Sequence, residues 1–268
     1  MNKKYKLDKK DTITVNGKKL YRIVALIDIG ERVKSGDKGG FVEREWNLSH
    51  FGTAWVFDKA AVYGDAKVGD DAKISGNAKV YGKAEVYGKA LVGEDAQVYG
   101  DAYLCDNAKV FGNAEVFHEA WVYDNAKVYG FAKVFGKAQV CGKAKIYDNA
   151  EVFSNAKIYG NAVVFGNAGV CGNTMIDGNA RIGGDAEVCK DSDYFYVHSF
   201  GINGRTTTFF RTKTTWLVIC GCFSGTIEEF RQRVKYTRGD SLIAQEYLMI
   251  ADLMELRIKR VELDAKND

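Results

Sequence analysis

The chain has no proline in 268 residues, where average usage of about 5% would place roughly 13. A backbone whose N–H groups are all committed to ladders has little place for a residue that lacks one. Long apolar runs are missing too. No stretch reaches the roughly 18 apolar residues of a membrane span, so no membrane partner is expected. Met1 to Asp11 is lysine-rich with no apolar run, which argues against a signal peptide and for a cytoplasmic protein. Six cysteines in that setting read as reduced thiols. Charge of one sign is scarce: 38 Lys+Arg against 35 Asp+Glu leaves +3, too little to imply a polyanion. The balance is uneven, at +5 for residues 1–53, −3 for 54–189 and +1 for 190–268. That spread implies a basic cap on a slightly acidic shaft.

What the chain does have is a strict internal period. From Val56 to Val188, 23 consecutive positions spaced by six are Val, Ile or Leu. A second series two residues earlier is alanine from Ala54 to Ala186, broken only by Thr174. Alternation across a strand turns the aliphatic inward and its two neighbours outward. The Gly-Asn, Gly-Lys, Gly-Asp and Asp-Asn pairs that follow tolerate left-handed backbone angles, and alanine returns inward where the corner is tight. Each unit is thus a short strand and a corner. Three sides are the fewest that enclose an interior, so a coil should take about 18 residues of a parallel β-helix.

The unit Val80-Tyr81-Gly82-Lys83-Ala84-Glu85 resembles the hexapeptide repeat of the bacterial left-handed β-helix proteins, with an aromatic often in the second place. The resemblance implies the left-handed winding, since parallel crossovers are otherwise right-handed. It also implies association along the prism axis, commonly as a homotrimer, with a dimer as the alternative. The run from Gly39 through Trp55-Val56 and the segment after Val188 resemble uncharacterised bacterial, phage and mobile-element repeat proteins, which implies a host-directed partner such as a bacterial defence factor to be blocked. The expected fold is mainly β: a left-handed parallel β-helix over 54–189, an N-terminal β cap over 1–53 and a C-terminal α+β cap over 190–268.

In the N-terminal cap, Thr12–Val15 and Lys19–Val24 flank Asn16-Gly17, a strong hairpin signal. A cap is needed because an open parallel edge templates aggregation. After Val188, Tyr194–His198, Arg205–Arg211 and Trp216–Cys220 read as three strands, with a turn at Gly201-Ile202-Asn203-Gly204. Thr226-Ile227-Glu228-Glu229 reads as a capping box opening a helix that Gly239 closes. A second helix runs from Asp240 or Ser241 to about Val261, with a wide apolar face that includes Leu242, Leu253 and Leu256.

Taking every eighteenth residue unrolls the shaft. One outward column reads Tyr63, Tyr81, Tyr99, Phe117, Phe135, Phe153, Cys171, Cys189; another reads Phe57, Ser75, Gly93, Phe111, Tyr129, Tyr147, Phe165, Gly183. Beside the second runs Trp55, Lys73, Leu91, Lys109, Lys127, Lys145, Val163, Arg181. The aromatic column Tyr63–Phe153 is either a ladder that stiffens the coil or an interface for self-association or a protein partner. A third possibility is that the C-terminal segment covers it.

Lys109, Lys127 and Lys145 are candidate anion-binding residues, since interleaved rings could stack bases. A solvated lysine face on an acidic shaft is the competing account, so nucleic acid is not the expected partner. Arg205 and Arg211 are further anion candidates, against simple decoration of a strand.

Some hexapeptide proteins are acyl-CoA-dependent acyltransferases with a histidine base, and the one shaft histidine, His118, is the weak catalytic candidate. Others are zinc enzymes using three histidines. With His50, His118 and His198 spread along the chain, no metal site is expected, nor any cofactor. Cys220-Gly221-Cys222 lacks a second ligand pair. Cys171 and Cys189, one coil apart, are expected as a reduced stacked pair. The leading expectation is a non-enzymatic scaffold and interaction protein; the alternative is an acyltransferase using His118 between subunits.

Overall fold

The structure is a computed structural model that describes residues 3–201 and 204–267. The six-residue period folds as a parallel β-solenoid. Twenty-three two-residue strands, from β4 (Trp55–Val56) to β26 (Glu187–Val188), fall in turn on three sheets. Each strand pairs with the one 18 residues later, so that Leu91 aligns with Lys73 and Lys109. The inward aliphatics and alanines are buried throughout.

The corners show why Asp stands in for Gly. Asp58, Asp70, Asp124 and Asp148 adopt positive φ values of 53°, 53°, 57° and 59°. Each carboxylate accepts the glycine N–H of the next coil, at Gly76, Gly88, Gly142 and Gly166. The bond offsets the cost of a left-handed non-glycine residue.

At the N-terminus, β1 (Tyr5–Val15) and β2 (Lys18–Ala25) form the expected hairpin around Asn16-Gly17, whose φ values are 49° and 74°. The first strand is longer than the sequence pattern suggested and carries a bulge between Asp8 and Thr12. β3 (Lys38–Val42) pairs antiparallel with β2 and parallel with β5 (Ala61–Val62). The hairpin therefore continues one face of the shaft into an 11-stranded sheet. A Cβ on Gly40 would lie 2.5 Å from the Ala60 carbonyl oxygen, so this close approach needs glycine.

The shaft also reaches back past Ala54. Val42 aligns with Val62, and Leu48 bridges to Val68 in parallel. These two residues, six apart, are the first rungs, and a two-residue insertion before Val56 hides them from the period. Tyr5 closes this end, its phenol donating to the carbonyls of Glu45 and Leu48.

At the other end, β27 (Tyr194–Phe200), β28 (Arg205–Arg211), β29 (Trp216–Cys220) and β30 (Phe223–Thr226) form an antiparallel sheet. The expected three strands are four, because Phe223–Thr226 folds back onto β29. Of the expected turn, Ile202 and Asn203 lie outside the described residues. Alternation along β28 and β29 makes this sheet a two-sided plug. Phe210 and Ile219 join the core of the shaft. Phe209 and Val218 face the other way, onto α1 (Ile227–Arg238) and α2 (Leu242–Asn267). The capping box at α1 is present, with Thr226 accepting from the Glu229 N–H and Glu229 accepting from the Thr226 N–H. α2 continues past the expected end near Val261. No described helix is long and apolar enough to cross a membrane.

Cys171 and Cys189 are joined as a disulfide between successive coils. This corrects the expectation of a reduced pair: parallel in-register coils place the two Cα atoms 4.4 Å apart, within bonding reach.

Candidate functional site

The outward position preceding each buried aliphatic is at least partly exposed along the shaft after the first two strands, where Trp55 and Ala61 are buried, and it varies from lysine and glutamate to leucine and tryptophan. On the sheet that runs from β4 to β25 (Arg181–Ile182), that position stacks Lys109 on Lys127 and Lys127 on Lys145 as direct parallel partners. Lys73 lies two coils earlier, next to Leu91. Around the adjoining corner, two residues upstream, Lys89 and Lys143 point toward the same side. Together Lys73, Lys89, Lys109, Lys127, Lys143 and Lys145 line one groove of ≈ 940 Å³.

Elsewhere on the shaft, several lysines meet carboxylates one coil away: Lys67 with Glu85 at 3.1 Å, Lys133 with Glu151 at 3.6 Å, Lys83 with Asp101 at 3.7 Å and Lys137 with Glu119 at 3.8 Å. Among the described residues none of the six groove lysines has such a pair. The groove's one acid, Asp71, accepts from the Thr53 hydroxyl at 2.7 Å. That hydrogen bond, with the Thr53 N–H, holds its carboxyl below the usual range.

On the other side of the lysine row, Phe111, Tyr129, Tyr147 and Phe165 stack at 4.9, 5.0 and 5.4 Å, with planes within 14°. Arg181 lies over the last ring at 5.3 Å. The ladder stops at Gly93 and Ser75, leaving a recess of ≈ 450 Å³ between Phe111 and Phe57. A Cβ on Gly93 would meet only the Ser75 Oγ, at 3.2 Å.

The first aromatic column is a continuous stack. Centroid spacings from Tyr63 to Phe153 are 5.0, 4.8, 4.9, 4.9 and 5.1 Å, with planes within 5°. Tyr63, a proposed contact residue, is only 3% exposed. The hairpin covers it, Asn16 Nδ2 donates to its phenol, and it packs with Leu20 and Phe41. It is therefore withdrawn from the surface strip. Tyr81, Tyr99, Phe117, Phe135 and Phe153 are half-buried. Tyr99 donates to Glu115 at 2.8 Å and Tyr81 to Gln97 at 3.3 Å. Their faces touch each other and these hydroxyls are tied to their own chain, so this column has the character of a stiffening ladder.

The remaining candidates stand apart. Arg211 reaches Asp193 at 3.6 Å. Arg205 begins β28, and neither arginine lines the lysine groove. His118 occupies an exposed corner with φ 57°, its ring set edge-on to Phe117 at 4.8 Å. His50 bonds Glu45 in the N-terminal cap, and His198 bonds Thr206 in the C-terminal sheet. Among the described residues no group of three His, Cys, Asp or Glu side chains could hold a metal ion. Lys73, Lys89 and Lys143 were not singled out by the sequence. Lys73 belongs to the Lys109 column itself, two coils earlier, and the signal for Lys89 and Lys143 was a second column, two residues off the first, that meets it across a corner.

A comparison with curated proteins finds no match. A family model described as the YdcK beta solenoid repeat matches residues 156–172, within the shaft, so the chain is similar there to a β-solenoid repeat protein.

Proposed function

We propose that the protein is a non-enzymatic scaffold of the hexapeptide-repeat kind, self-associating and acting in the cytoplasm, whose lysine corner binds an acidic protein. One observation carries this reading: six lysines converge on one groove whose one acid is Asp71, and none of the six makes an ion pair among the described residues, while Lys67, Lys83, Lys133 and Lys137 on other columns do. Like charges about 5 Å apart repel by roughly 1 kcal/mol per pair in water. Alternating Lys and Glu, as at Glu115, Lys133 and Glu151, would avoid that cost. A row that accepts it is suited to carboxylates brought by another molecule.

The neighbouring rings favour a protein over single-stranded nucleic acid. Their faces are already stacked on one another, so they offer edges rather than platforms for bases. The recess at Gly93 adds an apolar notch that suits a side chain beside the acidic contacts. The likeness of both flanks to phage and mobile-element proteins supports a bacterial host factor as the partner.

The test uses a labelled polyglutamate peptide and an oligothymidylate of equal charge, followed by fluorescence anisotropy. The peptide should bind more tightly than the oligonucleotide. Lys109→Glu/Lys127→Glu/Lys145→Glu should weaken it by about tenfold or more, and Lys79→Glu/Lys157→Glu on other faces should not. Equal binding by the triple variant, or tighter binding of the oligonucleotide, refutes the reading.

A further inference from the structure

We infer that α2 is the self-association surface, and that it pairs antiparallel with α2 of a second copy of this chain. The inference rests on the self-association part of the reading above and not on the lysine corner.

The inner face of α2 is fully employed: Ala244, Tyr247, Ile250, Ala251 and Met254 are buried against the C-terminal sheet and α1. Its outer face is unusual for solvent. Leu242, Met249, Leu256 and Leu263 recur every seventh residue and are 78%, 69%, 67% and 60% exposed; Leu253 beside them is 53% exposed. Heptad spacing of apolar residues along one line is the pattern that packs helix on helix. The five side chains expose on the order of 600 Å² per chain, at the top of the ~300–600 Å² range of a typical monomer's largest patch and most of the ~800 Å² each side of a stable interface buries.

The occupant follows from the symmetry of the stripe. A two-fold axis beside Leu253 sets Leu242 against the second copy's Leu263, Met249 against its Leu256, and Leu253 against its own equivalent. The same register sets Glu246 against Arg260 on one flank and Gln245 near Lys259 on the other. Both Glu246–Arg260 contacts are of opposite charge. A parallel pair would instead place Glu246 beside Glu246 and Arg260 beside Arg260 at equal heights. The acids nearest the axis are already neutralised within the chain, since Arg231 holds Asp252 at 2.6 Å and Glu255 at 3.2 Å. Glu246 accepts the Gly201 N–H at 3.2 Å, which leaves its second oxygen for the arginine. The pairing is therefore a dimer, in place of the trimer implied by family resemblance.

Light scattering on the full chain at tens of micromolar tests this. The wild type should show twice the 29.7 kDa chain mass. Met249→Glu/Leu256→Glu should show the single-chain mass with an unchanged circular dichroism spectrum, because both positions are exposed in the single chain. Glu246→Arg or Arg260→Glu alone should weaken the dimer by about tenfold, and the two together should restore it. In a Cys222→Ser background, Leu253→Cys should form an intermolecular disulfide and Leu242→Cys should not. A monomeric wild type, an oligomer that survives Met249→Glu/Leu256→Glu, no rescue by the charge swap, or cross-linking at 242 but not 253 overturns the proposal. Polyglutamate binding by the monomeric variant separates the two readings: if retained, the lysine corner stands whatever becomes of the dimer.

Discussion

The Lys4 ammonium lies 2.9 Å from the carbonyl oxygen of Ala54, the first inward alanine of the repeat. Phe51 and Gly52 offer further carbonyl oxygens at 3.4 Å, and Lys4 is 2% exposed. A lysine thus closes the N-terminal end of the shaft, and burial pulls its pKa down from 10.5 to about 8, against the raising effect of Asp71.

That depression has a definite sign. Below about 8 both folded and unfolded chains carry the proton, and the burial cost is fully present. Between about 8 and 10.5 the unfolded chain keeps a proton that the folded chain has released, so stability rises with pH. Melting temperature should therefore climb between about pH 7.5 and 9.5 in the wild type, with a shallower climb in Lys4→Met. Identical slopes in thermal scans would show that Lys4 does not titrate in this way.

The ring ladder should contribute stability directly. Phe117 stacks on Tyr99 and Phe135, each at 4.9 Å. Phe117→Ala removes two stacks and a half-buried ring, for a loss of about 2–3 kcal/mol. Tyr99→Phe keeps the stack and loses only the bond to Glu115, for about 1 kcal/mol. Urea midpoints should rank the variants in that order. A Phe117→Ala chain of unchanged stability would return the column to the role of a contact surface.

Thr174 interrupts the alanine series and is 1% exposed, with no hydrogen-bond partner for its hydroxyl among the described residues. An unsatisfied buried hydroxyl costs about 1–3 kcal/mol. Thr174→Val keeps the shape without the polar atom and should raise stability by about 1 kcal/mol, read as a higher urea midpoint at equal slope. A lower midpoint would mean the hydroxyl is satisfied in solution.

Lys127 lies between Lys109 and Lys145. Lys127→Glu converts two repulsions into two attractions and should stabilise the fold by about 1 kcal/mol while weakening polyglutamate binding. Opposite signs in melting and anisotropy mark a row kept for contact. A variant both less stable and unimpaired in binding would mark the lysines as structural.

What the sequence disclosed was whatever repeats. The period from Val56 to Val188 placed every strand from β4 to β26 and its inward residue, and Asn16-Gly17 placed the hairpin. Val42 and Leu48 escaped because two inserted residues break the count before Val56. β30 escaped because Phe223–Thr226 contains a glycine and ends in the helix cap. Burial of Tyr63 depends on a hairpin more than 40 residues upstream, which no local pattern reports. The lysine corner was half visible: Lys109, Lys127 and Lys145 share one column, but Lys89 and Lys143 join them only once the chain turns. The outward stripe of α2 blurred into its inward one, because a helix apolar on both sides shows a wide face rather than two narrow ones.

Each coil adds a fixed step of about 4.8 Å along the axis, and no insertion interrupts the coils between Val56 and Val188. The separation between the N-terminal hairpin and the C-terminal module is therefore quantised. Excising 18 residues should bring the two ends closer by one step without disturbing the register on any face, while excising six should rotate one end by a third of a turn. The molecule is built as a ruler, and whatever it joins at its two ends it holds at a set distance and a set angle.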